Sequence, residues 1–539
     1  MKKLLVTIAC AAVTLGAGAQ TYTDAYNFTT NEYGGTARSI GMGNAMTAVG
    51  GDLGSLTFNP AGSAVAGYGQ FTISPGLTIS STRSMGTPLT GESSPYSFGD
   101  NIYQSKSRMT MPNIGFVLNY DLHRNYGLKS ISFGFVGNQT NNFLHQMQAS
   151  GSNANTSFAG FLAAGSEGIP YGQLMNDSAY DGNVDWRYIL GYQSGLTATY
   201  GGYNDAYIGV TERLFPDESI GLAGDINQQY GRLVYGNKYD YLLNFGANFS
   251  DMFYLGANLG LATITYTQKQ NMYEQAVNPD DFGLEFDDGT VLYFDDFNYR
   301  YNWTSRASGV YLKVGFIAKP LPSLRIGAAI QTPTWYTVEE QFAHDAQVNY
   351  TDRSYTRGQT PEGTAEYRLT TPFRANAGVA ITFGSLGMLS ADYELCDYSR
   401  THYQGSVYDS YYDSSFSGLN NEIYNYMGLS HTFRVGAEFK PMPTIALRAG
   451  YNLTTNPQKY DNGNYIDANR QSISFGVGYS SPGSFFMDFA FRTRLVPDEY
   501  IMAYDDYIFD GNGNVLVYSP EIGVSSKLYD AVLTFGWRF

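Results

Sequence analysis

The sequence predicts an all-β fold: a 14-stranded antiparallel transmembrane β-barrel whose N-terminal helical hatch plugs the lumen. Three observations lead there. Many segments alternate apolar and polar residues over the 9 to 11 positions that cross a bilayer, as in "FFMDFAFRTR" at 485–494, where Phe485, Met487, Phe489 and Phe491 share one face. Tight connections alternate with long ones, as barrels with short turns on one side and long loops on the other require. The chain ends "AVLTFGWRF", which puts Ala531, Leu533, Phe535, Trp537 and Phe539 on a single face. Composition agrees: 61 Gly, 47 Tyr and 33 Phe with only 15% charged residues is a mix of strand-forming aromatics and small turn residues.

Taken in order, residues 1–19, "MKKLLVTIACAAVTLGAGA", carry two lysines, an apolar stretch and small residues before Gln20, the pattern of a cleaved secretory signal. Residues 20–69 form the hatch. Within it "LGSLTFNPAGSA" at 53–64 reads as short helical turns, with Asn59 as cap and Pro60 as the first helical residue. Residues 70–539 form the barrel. Its strands are expected near 70–81, 110–122, 128–139, 234–249, 252–266, 304–319, 323–338, 366–383, 387–399, 428–440, 443–455, 471–480, 484–496 and 524–539. Pro75 removes one ladder bond from the first. Long connections fall near 140–233, 267–303, 339–365, 400–427, 456–470 and 497–523, so both ends of the chain are expected on the periplasmic side. The insertion at 140–233 contains "TSFAGFLAAG", an apolar helical stretch expected to belong to a folded cap outside the cell.

Several function classes are disfavoured. A formal charge of −16 argues against nucleic acid. Once the signal is removed Cys396 is the only cysteine, so no intramolecular disulfide forms. No catalytic constellation is expected, because His123, His145, His344, His402 and His431 are scattered without metal spacing or a nucleophile motif. No cofactor and no resident metal are expected. The acidic loop 278–297 reads as solvated, and "DGNGN" at 510–514 as a turn lacking the bidentate glutamate of a calcium loop. "GMGNAM" at 41–46 has neither the third glycine nor the preceding strand of a dinucleotide site.

The segment "ARSIGMGNAMTAVGGDLGSLTFNPAGSA", with its Asn59, Pro60 and Ala61, resembles the amino-terminal hatch of the long-chain fatty-acid and toluene transporter family (FadL/TodX type). The likeness continues through "MPNIGFVLNYDL", and "YDYLLNFGANFSDMFYLGANLGLATITY" resembles a hairpin of its Bacteroidetes-like branch. The resemblance implies passive transport of hydrophobic compounds, chiefly long-chain fatty acids or aromatic hydrocarbons, across the outer membrane of a Gram-negative bacterium. It further implies a gap in the wall near a kinked third strand, with the hatch gating an apolar pocket. Asn59, Pro60 and Ala61 are carried over as hatch residues.

Other candidates come from position. In "SISFGFVGNQT", Gly134 and Gly137 are places where the third strand could bend or open. Alternation turns Lys313, Arg325, Arg374, Arg434, Arg448 and Arg492 inward beside Asp392, Glu394, Glu438 and Asp488. Arg374 and Arg434 stand nearest mid-depth as partners for a ligand carboxylate, although mutually paired charges that hold the plug are the favoured reading. Phe158, Phe161 and Leu162 are candidates for extracellular apolar capture. A monomer in contact with outer-membrane lipid is expected. The competing functions are a ligand-binding or surface-interaction protein, haem capture included, and a general porin.

Overall fold

Residues 21–86, 98–175, 184–285, 289–406, 416–460, 462–509 and 512–539 are described in a computed structural model. The signal segment and part of the 510–514 turn fall outside them.

Alternation of side chains decides the architecture. On the strand Phe253–Ala276, Leu255, Leu259 and Leu261 are exposed while Tyr254, Asn258, Ala262 and Ile264 are buried, so one face meets lipid and the other the lumen. The barrel strands are β1 (Gln70–Gly86), β2 (Ile102–Asp121), β3 (Leu128–Asn142, continued by His145–Asn153), β4 (Ile226–Phe249) and β5 (Phe253–Ala276). Then come β6 (Val291–Leu321), β7 (Leu324–Gln331 with Trp335–Tyr350), β8 (Gly363–Thr370 with Arg374–Thr382), β9 (Gly387–Asp397 with His402–Gly405) and β10 (Leu429–Met442). The last four are β11 (Ile445–Thr454), β12 (Arg470–Ser480), β13 (Phe485–Leu495) and β14 (Glu521–Arg538). Every neighbour pairs antiparallel, and β14 pairs with β1 to close a 14-strand barrel. Reciprocal bonds between Gly69 and Phe539 fasten the seam, N to O at 2.9 and 3.0 Å. At Pro75 the β1–β2 register shifts between Ser74 and Gly76, a bulge where the missing N–H would have broken the ladder.

The strands run higher than the sequence suggests. β3 continues to Asn153 and β4 starts at Ile226, so the insertion expected at 140–233 is confined between those residues. Above the apolar belt the inner face of this tall wall is itself apolar, with Met147, Ala149, Tyr230, Met272, Phe294 and Phe297 packed on the cap helix Phe158–Ser166. The wall therefore stays strand because it has a core to cover.

The hatch fills the bore. Its helix Tyr22–Thr29 starts with a capping box, Thr21 Oγ1 accepting from Asp24 N at 3.2 Å while Thr21 N donates to Asp24 Oδ2 at 3.0 Å. Two 3₁₀ turns follow, Leu53–Thr57 capped by Asp52 and Pro60–Val65 capped by Asn59 with Pro60 leading. One expectation is corrected. The amino end of the described chain is not on the short-turn side, for the Tyr22 ring lies tilted against Tyr426 of the long β9–β10 connection, centroids 5.8 Å apart. Burial of Ala25, Tyr26 and Phe28 among lumen aromatics draws it up into the bore.

Backbone meets backbone where plug and wall touch. Gly246, Gly256 and Gly315 are paired across β4, β5 and β6, and an added Cβ would strike Ser63, Pro60 to Ala61, and Asn59 respectively. On the opposite wall the paired Gly436 and Gly450 lie against Met42 and Gly43. Gly256→Val and Gly315→Val should each destabilise the plugged barrel by about 1–3 kcal/mol through overpacking, read as a lower thermal midpoint with strand content intact.

Candidate functional site

The hatch is held by cations of the wall. Lys238 Nζ donates to Phe28 O at 2.9 Å, Lys313 Nζ to Thr57 O at 2.6 Å and Arg325 Nη1 to Val49 O at 2.6 Å. Arg374 Nη2 reaches Thr29 O at 2.6 Å and Arg492 Nη1 reaches Tyr33 O at 2.7 Å. Each is a charge-assisted bond to a main-chain carbonyl that strand and helix leave unpaired. Carboxylates hold the hatch in the same way: Asp392 Oδ2 accepts Thr47 N at 2.7 Å, and Glu438 Oε2 pairs with Arg38 at 3.0 Å.

Asn59 binds its own turn and the wall together. Its Oδ1 accepts Ala61 N at 3.1 Å, while Nδ2 donates to Thr47 O and to Phe316 O of β6, both at 2.8 Å. Pro60 O accepts from Asn244 of β4 at 2.9 Å, and Ala61 packs with Ala64, Tyr254 and Ile317. Arg374 and Arg434 share Glu394, at 2.8 and 2.6 Å, and the Arg434 guanidinium lies over the Tyr33 and Phe58 rings.

Above this layer the lumen wall turns apolar. Val234, Ile264, Trp303, Val338 and Leu369 face inward around Phe28 of the hatch, whose ring sits 5.4 Å from Tyr266 and 6.1 Å from Trp303. Phe143, at the end of the first β3 segment, joins them 5.3 Å from Tyr266.

Beside Phe143 the wall is discontinuous. The β2–β3 ladder runs from Asp121↔Ser130 to Asn113↔Asn138 and stops. Beyond it β2 continues to Ile102 paired only with β1, while β3 bends inward and pairs only with β4. Pro112 sits where β2 leaves the ladder, and it has no N–H to offer. The hatch takes over that edge: Glu32 N donates to Thr140 O at 2.7 Å and Gly34 N to Gln139 O at 2.8 Å. Side chains form the last rung, Asn113 Nδ2 donating to Asn138 Oδ1 at 2.7 Å and Asn138 Nδ2 to Thr57 Oγ1 at 2.7 Å. Outside, Tyr239 reaches the Met111 backbone and Arg108 lies 5.9 Å from the Tyr235 ring, so aromatic side chains of β4 screen the break.

Gly134 and Gly137 lie just below this opening. They pair with Val117 and Ile114 in the intact ladder, whose last pair lies one residue past Gly137. Pro112 and the run Asn138–Asn142 were missed in the sequence, although a mid-strand proline and five consecutive polar residues in a strand both signal it. Phe158, Phe161 and Leu162 lie inside the cap core, at 6%, 6% and 0% exposure, against Phe297, Tyr299 and Tyr504. They present no open groove in this conformation, because the cap helix Phe158–Ser166 is turned into the barrel mouth rather than away from it.

The cap also buries Glu212, whose Oε2 accepts Gly209 N at 2.8 Å. Burial pushes its carboxyl above the ordinary range, against the opposing pull of that bond.

Neither a family pattern nor a curated protein matches the sequence. Among solved structures the chain is similar to a Pseudomonas aeruginosa FadL homologue (13% identity, TM-score 0.49, covering 94% of this chain and 99% of that one). It is similar also to the P. putida toluene transporter TodX (13%, 0.47, 94% and 99%) and to the Ralstonia pickettii toluene transporter TbuX (13%, 0.42, 94% and 98%).

Two outcomes follow for hatch and cap. Asn59→Ala or Lys313→Met strands buried carbonyls at a cost of about 1–3 kcal/mol, and should raise the steady ion current of single reconstituted barrels. A raised Glu212 favours the folded cap while the carboxyl is protonated in both states, below about pH 4. Amide-exchange protection of the cap should fall as pH climbs from there through the raised value, and Glu212→Gln should flatten that slope.

Proposed function

We propose that this barrel passes hydrophobic compounds, long-chain fatty acids first among them, across the outer membrane by diffusion and releases them sideways. The observation that carries the reading is the apolar cluster inside the lumen around Phe28, Trp303 and Val338, which reaches the β2–β3 discontinuity through Phe143. A water-filled pore gives an apolar solute no favourable path, whereas a chamber opening laterally connects apolar surroundings with lipid. The resemblance of the hatch segment implies the same class of ligand.

Arg374 then has a defined part. It spends one N–H on Glu394 and another on Thr29 O, at the end of the first hatch helix. A ligand carboxylate competing for the second N–H would free that helix, so arrival of a fatty acid loosens the hatch. Gly134 and Gly137 keep the strand beneath the exit thin, and Asn59, Pro60 and Ala61 hold the remainder of the plug while the upper helix moves. Phe158, Phe161 and Leu162 admit ligand only when the cap shifts.

Uptake measured in cells lacking the native gene tests both parts. Restoring the ladder with Pro112→Val and Gln139→Val should cut fatty-acid uptake severalfold with the barrel still assembled, and unchanged uptake would rule out a lateral exit here. Arg374→Met should lower uptake of a long-chain fatty acid while sparing an alkane of equal length. Equal loss of both would deny Arg374 a role toward the carboxylate.

A further inference from the structure

On the outer surface, well above the apolar belt, the register of five strands brings polar side chains into one open cleft of about 710 Å³. One cross-strand row runs Gln148, Gly231, Asn271, Arg300 through successive pairs on β3, β4, β5 and β6. The adjoining row places Lys269 opposite Leu233 and Asn302. Gly231 forms the floor: a Cβ there would meet nothing within 4 Å, so the cleft exists because that position has no side chain.

The polar groups around the floor are open to a ligand. Lys269 and Asn302 are exposed, and neither they nor Asn271 has a hydrogen-bond partner among the described residues. Arg300 is half-exposed and held by Asp345 of β7 through Nε to Oδ2 at 2.9 Å, which orients its guanidinium and leaves donors to spare. Gln148 is fixed by Gln104 of β2, whose Nε2 donates to its Oε1 at 3.0 Å. Lys269 has no carboxylate partner among the described residues and Arg300 keeps donors beyond those given to Asp345, so with its surrounding amides the cleft favours a hydroxyl-rich ligand bearing negative charge.

Height selects among such ligands. On β5 the outward positions beyond Leu261 are Thr263, Thr265, Thr267, Lys269 and Asn271. With a strand rise near 3.4 Å and a tilt near 40°, Lys269 stands roughly 20 Å above Leu261, beyond the reach of acyl chains and of phosphates at their boundary. That level belongs to sugars.

We infer that this cleft is a binding site for an anionic saccharide, supplied by the glycolipid of the outer leaflet. The inference rests on the outer-membrane reading of the barrel but not on any transport step. The size of the cleft is within the range of small-ligand sites.

The test uses the full-length protein in detergent with three probes: rough lipopolysaccharide, the core oligosaccharide released from it, and lipid A stripped of sugar. Lipopolysaccharide and oligosaccharide should bind the wild type, and Gly231→Trp and Lys269→Glu should each weaken both by roughly tenfold or more, as loss of charged hydrogen bonds implies. Lipid A should not distinguish the variants from the wild type. Tighter binding of the lipid-linked form supports the leaflet as source, and equal binding of the free oligosaccharide supports the same site serving soluble glycans. Variants that retain full affinity, or a variant-sensitive affinity for lipid A alone, would overturn the inference. Fatty-acid uptake by Gly231→Trp should stay at the wild-type level, so failure of the transport reading would leave the binding result standing. Because the new side chain projects into open space, assembly is monitored simply by heat-modifiable migration.

Discussion

Charge-assisted bonds from the barrel wall to the carbonyls of its own plug are the constraint on which the rest depends. A segment of turns and 3₁₀ helices leaves many main-chain acceptors unpaired, and the middle of a barrel has little water to satisfy them. Lys238, Lys313, Arg325, Arg374 and Arg492 supply the missing donors at Phe28, Thr57, Val49, Thr29 and Tyr33. Each such bond is worth roughly 1.5–3 kcal/mol. The arrangement is mutual, because the same carbonyls give the buried cations partners they would otherwise lack.

Two consequences follow for the interior. Cations bound to the hatch are not free to make the lumen a polar pore, and the layer above them is apolar, built by Trp303, Val338, Ile264 and Leu369. The plug can also pair with the wall as a strand would. Glu32 and Gly34 bond to the backbone of β3 where β2 has departed, which makes the hatch part of the wall where the ladder between β2 and β3 is broken. Displacing the hatch would therefore break hydrogen bonds that it shares with β3 at this break.

Much of this was legible in the sequence because it is local. Alternation located all fourteen strands, since a residue's face depends only on its parity, and Asn59 with Pro60 announced a capped turn through short-range chemistry. What was not legible depends on distant pairing. Parity turned Arg374 inward, but that it grips Thr29 O could not be read without the path of the hatch. The direction of the cap helix was hidden for the same reason: "SFAGFLAAG" is equally apolar whether it faces solvent, ligand or the tall inner wall that buries it. Gly134 and Gly137 lie within the paired part of β3, while the ladder ends beside Pro112 on its neighbour.

The most direct measurement is the position of a long-chain fatty acid brominated at its tail, located by anomalous diffraction from crystals of the protein soaked with it. The expected result is a bromine peak between the Trp303 chamber and the β2–β3 break, level with Phe143. A peak on the barrel axis below the hatch, or one confined to the outer surface of the wall, would contradict a sideways route through this chamber.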